Sequence, residues 1–375
     1  MKVTEIKTSR QAGLISGLLA LLIAIALTAC KENGESNNKG AISGIPYISA
    51  IDSVSFNYQS PSWKGGGHDY SDDQFGRYIS VDSNNHFRYI SINSYNELHT
   101  YDFSTHVHTY SRPVCKAKIE AFKIDSSLIY LLYNDTLFVK DFQLNTVDSF
   151  TYKRPNILQK HGIDYDSENS SNLFKVNNYY VLMYFVVYKI GDHEEYRNSK
   201  YLFHYFNKDT SFFANKVCNE LDTSSIYFRY PAVTSDGQFL YHAPRMKNCI
   251  SKSNELKTLL HVSIDKTKNN YLPFHHGDQF QISVLKKLRF SSDYNKDILI
   301  SGNHVILLRE FLKESYYKNN IQNYNLDTEI IIFNKDLKKI RSYFIKDNGD
   351  FYSLVKNNKL YLFNVFRNKY YVYEI

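Results

Sequence analysis

A short module recurs along the chain and constrains its fold more than any other feature. Its clearest copy is Val355-Lys356-Asn357-Asn358-Lys359-Leu360-Tyr361-Leu362-Phe363: an apolar strand end, a polar turn, then an aliphatic and aromatic strand. Five other stretches read alike. They are Val81 to Ile90 around Ser83-Asn84-Asn85, Ile124 to Leu131 around Asp125-Ser126-Ser127, Val176 to Leu182 around Asn177-Asn178, Val233 to Tyr241 around Ser235-Asp236-Gly237, and Ile300 to Leu307 around Ser301-Gly302-Asn303. Asn, Asp, Ser and Gly tolerate the positive φ that tight hairpins need. The flanking β-branched and aromatic residues suit a pleated, half-buried surface. With 33 Tyr and 25 Phe, the whole chain leans the same way. Six hairpin copies predict a repeat protein.

If each module supplies strands A and B of a four-stranded unit, C and D must follow. Candidates are Leu98 to Phe103 with His106 to Tyr110, and Thr136 to Asp141 with Val147 to Tyr152. Next come Tyr201 to Phe206 with Ser211 to Asn215, Thr258 to Ile264 with Asn270 to Phe274, and Glu329 to Phe333 with Lys339 to Ile345. The sixth unit has Phe351 to Val355, Leu360 to Val365 and Lys369 to Ile375, and there the chain runs out one strand short. Asp52 to Tyr58 alternates polar and apolar and belongs to no other unit, so it can fill the vacant place and join the two ends of the chain. Radial repetition of four-stranded sheets is a β-propeller, and such closure removes the open seam. The expected fold is all-β, one propeller over residues 45–375 with six blades. A seven-bladed ring that divides 275–345 differently is the alternative.

The N-terminus carries the location. Lys2, Lys7 and Arg10 precede an apolar run from Ala12 to Ala29 that ends Leu27-Thr28-Ala29-Cys30. A basic start, an apolar middle and small residues at the cut make a secretory signal over residues 1–29. A transmembrane anchor competes, because such a run is near the shortest that can span a bilayer; the small residues directly before a Cys favour cleavage. Leu-x-Ala-Cys resembles the bacterial lipobox, which implies a lipidated (palmitate-bearing) Cys30 as the first mature residue and an outer-membrane lipoprotein of the cell envelope. Lys31-Glu32-Asn33-Gly34-Glu35-Ser36 resembles the export signal of Bacteroidetes-type surface lipoproteins, which implies exposure at the surface; a plain polar linker is the other reading. Residues 30–44 hold little to bury and read as a flexible tether. With the lipobox, the aromatic strands and the blade number together, the chain resembles six-bladed TolB-like propeller lipoproteins, among them the DUF4221-like group of unknown function. That resemblance brings no catalytic residues.

Three further cysteines, Cys115, Cys218 and Cys249, cannot all pair within one chain, and pairing of Cys218 with Cys249 stays open. The net charge is +7 and falls to +5 when Lys2, Glu5, Lys7 and Arg10 leave with residues 1–29. With no dense basic run, nucleic acid is not an expected partner.

Turns A–B and C–D are short throughout, whereas the long insertions are all of the B–C or D–A kind, which share the opposite rim. Ser60 to Gly76, Lys153 to Ser170, Val217 to Tyr227 and His275 to Asp297 are the D–A loops; Gly191 to Ser199, Met246 to Leu256 and Phe311 to Leu326 are the B–C loops. Strand D of the sixth blade would start at the short-turn rim, so the tether is expected there, with the elaborated rim facing away from the membrane. Function tends to sit on loops held by a rigid scaffold. The candidate binding residues on that rim are His68, Asp69, His161, Asp164, Asp166, His193, Glu194, Tyr196, Arg245, His275, His276, Asp278, Tyr316 and Tyr317. His and carboxylates converging there would form a metal or acid/base site, but their spacing matches no ligand motif, so no metal and no cofactor is expected. His106-Val107-His108 sets two imidazoles on one strand face, a geometry for chelation or simply an exposed pair. No catalytic motif stands out. The expected function is non-catalytic binding or scaffolding of a protein or glycan; the alternative is a polysaccharide-acting hydrolase or lyase.

Overall fold

The computed structural model describes residues 45–56, 78–81, 86–92, 96–117, 119–125, 127–153, 163–165, 173–190, 193–214, 231–245, 247–265, 294–312, 326–346, 352–364 and 368–375. Among them every regular element is a strand. After β1 (Asp52–Ser55), blade 1 comprises β2 (Tyr78–Val81), β3 (Phe87–Ile92), β4 (Glu97–Asp102) and β5 (Val107–Pro113). Blade 2 is β6 (Ala121–Ile124), β7 (Ile129–Tyr133), β8 (Thr136–Lys140) and β9 (Thr146–Thr151). A short β10 (Ile163–Tyr165) precedes blade 3, which is β11 (Leu173–Val176), β12 (Tyr179–Ile190), β13 (His193–Phe206) and β14 (Ser211–Phe213). Blade 4 holds β15 (Ala232–Ser235), β16 (Leu240–Ala243), β17 (Cys249–Ser253) and β18 (Thr258–Ser263). Blade 5 holds β19 (Tyr294–Ser301), β20 (His304–Leu312), β21 (Leu326–Asn334) and β22 (Lys339–Ile345), and blade 6 β23 (Tyr352–Lys356), β24 (Lys359–Asn364) and β25 (Lys369–Glu374). Each blade is an antiparallel meander, and the six form a β-propeller.

The ring closes as the strand count requires. β1 pairs antiparallel with β25, Asp52 opposite Val372 and Ser55 opposite Lys369, which completes blade 6. The approach to β1 differs from the expected path. The Phe344 N–H donates to Pro46 O and the Ile48 N–H to Phe344 O, both at 2.9 Å, so Pro46 to Ile48 lie beside the outermost strand of blade 5 rather than at the short-turn rim.

Alternation along each strand feeds two seams at once. On β20, Val305 and Leu307 enter the cluster shared with blade 4, whereas Ile306 and Leu308 enter the one shared with blade 6. Six such clusters fill the six seams. Each buried aliphatic or aromatic side chain contributes roughly 1.5–3 kcal/mol.

Turn chemistry is as the Asn-rich modules predict. Asn357 and Asn358 have φ of 51° and 57°, and Asn134 and Asp135 have 50° and 57°, the paired positive values of a type I′ hairpin. A second repeat lies in the C–D turns. Asp102, Asp141, Asn207, Asn254 and Asn334 each stand at a C–D turn and accept backbone N–H groups on the side-chain oxygen, as with Asp209 and Thr210 on Asn207 at 2.9 and 2.8 Å. These are Asx turns, which satisfy the donors a tight reversal leaves over.

Two strand assignments change. In blade 4 the third strand is Cys249–Ser253 and the fourth Thr258–Ser263, so the expected loop Met246 to Leu256 contains a strand; Asn270 to Phe274 lies outside the described residues. CISKS shows no apolar alternation because its polar groups are buried in pairs: Ser253 Oγ with His242 Nε2 at 2.9 Å, Ser251 Oγ with His261 Nδ1 at 2.9 Å, and Lys252 Nζ over the Phe239 ring at 4.1 Å. In blade 3 the expected loop Gly191 to Ser199 is mostly strand.

Candidate functional site

The A–B turns of all six blades and the C–D turns of blades 1 to 5 span two to five residues, and the opposite rim carries the long connections. Its most extended described element belongs to blade 3. β12 reads YYVLMYFVVYKI, rich in β-branched and aromatic residues, and pairs with β13 from Tyr180 opposite Phe206 to Ile190 opposite His193. β11 accompanies β12 only as far as Leu182, and β14 accompanies β13 only as far as His204. Beyond those points the two long strands continue as a ribbon for about 25 Å, at 3.3–3.4 Å per residue. β10 covers one edge of it, with Asp164 opposite Val187. A register shift interrupts the ladder where Val186 faces Lys200 and Tyr188 faces Glu195, leaving Tyr196 to Ser199 as the bulged stretch.

Four candidate residues therefore come to one end of one sheet. Asp164 sits on β10, His193 opposite Ile190, Glu194 opposite Lys189, and Tyr196 in the bulge. Spacing did not reveal this, because Asp164 and Tyr196 are joined only through the pairing of β10 and β13 with β12. His68, Asp69, His161, Asp166, His275, His276, Asp278, Tyr316 and Tyr317 lie outside the described residues, as do Cys30 and Cys218.

Arg245 takes a scaffold position on the same rim. Its Nη1 donates to Asn295 O at 2.8 Å and to Lys296 O, and the guanidinium lies 5.4 Å from the centre of the Tyr294 ring. Asn295, fully buried on β19, returns the tie by donating Nδ2 to Pro244 O and to Lys247 O at 2.7 Å. Deeper in this seam Arg309, with no exposed side-chain surface, donates to Glu329 Oε2 at 2.9 Å, to Asn248 Oδ1 at 2.6 Å and to Asp265 O at 3.2 Å. Toward blade 6, Lys296 Nζ lies 3.6 Å from Glu310 Oε1, and Asp297 accepts from Ser353 Oγ. Burial pushes the Asp297 carboxyl above the usual carboxylate range, against Ser353, Arg245, the Ile298 N–H and Lys296, which pull it down. This polar junction roots the long connections of blades 4 and 5. No sequence motif marks it; the one local signal is charge inside otherwise apolar strands, in LLREF and LDTEIII.

The histidines of blade 1 are not a chelate. His106, in the turn at φ 58°, meets the Tyr101 hydroxyl at 3.1 Å, while His108 Nδ1 meets His99 Nε2 at 2.9 Å with the rings 12° from parallel. Two imidazole nitrogens that face each other this closely share one proton. Among the described residues, no group of three or more His, Cys, Asp or Glu is placed to hold a metal ion.

No protein-family model and no curated protein matches the sequence. Among solved structures, the chain is similar to a member of the DUF4221 family from Bacteroides vulgatus, with TM-score 0.50 and 11% identity, over 87% of this chain and 98% of that one. Weaker likenesses include the extracellular domain of a hybrid two-component system from Bacteroides thetaiotaomicron (TM-score 0.39, 10% identity, 80% of this chain and 33% of that one). Another is a protein predicted to be exported in Bacteroides fragilis (TM-score 0.38, 8% identity, 84% and 86%). At such identities the likeness is one of fold.

Proposed function

We propose that this chain is a binding module of the cell envelope, held by a lipid on Cys30, which engages a protein or glycan through the rim of long connections. The observation that carries this reading is the blade-3 ribbon. Its two strands run well past β11 and β14 and so carry backbone and side chains out onto the rim of long connections, where function tends to sit on a rigid scaffold. Tyr196 at its end supplies an aromatic residue of the kind enriched at interface centres, and Asp164, His193 and Glu194 supply the polar groups of a rim. The tethered scaffold below is a closed ring with buried seams, suited to hold such a ribbon in place.

The test joins Tyr184 to Leu202 through an Asn-Gly turn, removing the ribbon and leaving the blade. The melting temperature is expected to stay within a few degrees, while photo-crosslinks from the long-connection rim to envelope proteins or surface polysaccharide in intact cells disappear. Crosslinks that persist undiminished, or that form only from the short-turn rim, would overturn the reading. Palmitate labelling that survives Cys30→Ser would remove the anchor from it.

A further inference from the structure

We propose that the seam between blades 2 and 3 holds a second site, at the short-turn rim, for an anionic sugar: its acidic group between the ammoniums of Lys123 and Lys175, its ring against the half-buried Tyr180. The two halves of the site repeat one arrangement. Lys123 on β6 stands opposite Tyr130 on β7, and its Nζ lies 5.6 Å from the centre of that ring. Lys175 on β11 stands opposite Tyr180 on β12, and its Nζ lies 5.8 Å from that ring. The two rings meet across the seam at 5.8 Å, and Phe150 backs Tyr180 at 5.8 Å.

Each ammonium thus lies over an aromatic face, and among the described residues neither has an ion pair or a hydrogen-bond acceptor. Lys123 is half-buried, and burial pulls its pKa down; Lys175 lowers it further, while Asp125 raises it. Asp125 does not close an ion pair with it, because its carboxylate is held by the Ser127 and Leu128 N–H groups at 3.0 and 2.9 Å and by the Tyr130 hydroxyl. A half-buried cation without an acceptor, as Lys123 is, is unfavourable, and the exposed Lys175 on the adjacent inner strand repels it. One carboxylate or phosphate oxyanion between them relieves both terms, and a sugar carrying it brings a ring to Tyr180, the less buried of the two tyrosines. The competing account is that both lysines merely lay their stems along the rings. That account gives the lysines no reason to discriminate between charged and neutral ligands.

The experiment is calorimetric titration of the full protein with oligogalacturonate, with a neutral oligosaccharide of the same length, and with inorganic phosphate. Saturable binding of oligogalacturonate is expected, weakening with salt, and falling by about tenfold or more in K123M/K175M, as the loss of charge-assisted hydrogen bonds requires. Methionine keeps the apolar stem, so the melting temperature should hold. In NMR of protein with isotope-labelled dimethyl-lysine, the Lys123 signal should titrate below the surface lysines and move upward in pH when the glycan binds. Equal affinity in K123M/K175M, equal affinity for the neutral sugar, or no saturation by any of the three at millimolar concentration would overturn the site. Phosphate binding as tightly as the glycan would overturn the sugar. The ribbon deletion leaves these residues untouched, so failure here and failure of the rim reading are separable.

Discussion

The seam that closes the ring and the seam between blades 4 and 5 solve different problems with different side chains. Closure joins Asp52–Ser55 to Lys369–Glu374, the first and last strands among the described residues. Bringing such ends together costs about 5 kcal/mol of loop entropy. The closing seam meets that cost with apolar area: Phe56, Phe87, Tyr89, Tyr101, Phe103 and Phe363 are all buried, with Phe56 edge-on to Phe103 at 4.9 Å and Phe87 4.9 Å from Tyr361. At roughly 1.5–3 kcal/mol each, six rings exceed the entropy term. The seam between blades 4 and 5 joins sequence neighbours and has no such term to offset. It is aliphatic at one end and at the other carries Arg309 against Glu329, Asn248 and Asp265. A buried ion pair of this kind brings little net stability, because desolvation consumes most of the attraction. It does fix direction, and it does so where the long connections of blades 4 and 5 are rooted. Aromatic area holds the ring shut; charge sets the geometry of the rim.

The largest effect should come from Arg309→Met, which removes the buried cation opposite Glu329 together with its bonds to Asn248 and Asp265 and costs about 3–5 kcal/mol in urea unfolding. Adding Glu329→Leu should recover most of the loss. If the double variant stays as unstable as the single, the pair is more than a geometric device. Next is Phe56→Ala on the closing side. It opens a cavity against Phe103 and should cost about 3 kcal/mol, with hydrogen exchange rising first in β1 and β25. Uniform exchange across all blades would mean that closure is not a distinct unit.

Acid should separate the two seams further. The aromatic face of blade 1 includes His99, which burial, and then His108, holds at about 4; burial also lowers His108. Folding favours the neutral imidazoles. The unfolded chain therefore binds more protons below its own pKa of about 6.5, and stability present above that pH is lost as pH falls toward 4. The loss for His99 is on the order of 3 kcal/mol. His242, at about 3 through burial and then His261, adds to it from blade 4. Urea midpoints between pH 7 and pH 4.5 should fall steeply in the native chain and in Arg309→Met, and less steeply in H99Q/H108Q. An unchanged slope in the histidine variant would remove the imidazole pair from this account. The smallest effect belongs to the turns. Gly302 has φ 54° with open space around it, so Gly302→Ala should cost about 1 kcal/mol through backbone strain alone.

Much of this architecture is local and was legible as such. The hairpin modules, the blade number and the spare strand at Asp52 follow from period-two alternation and from turn residues that tolerate positive φ, which act between neighbours in sequence. The asymmetry of the two rims follows from connection lengths. The candidate site was legible only as residue types on that rim. Asp164 and Tyr196 come to one sheet end because β12 pairs on both edges, and no pattern in either segment encodes the partner. Cys249–Ser253 was hidden because its buried serines and lysine are satisfied by His242, His261 and the Lys335 carbonyl, which lie elsewhere in the chain. Arg245, an expected binding residue, binds the backbone of the next blade. Strands, turns and their number can be read along the chain, since they depend on backbone preference and local burial. Only the folded chain shows which polar groups are buried together, how far blade 3 extends past its neighbouring strands, and where the tyrosines of blades 2 and 3 meet, since each depends on partners that lie apart along the chain.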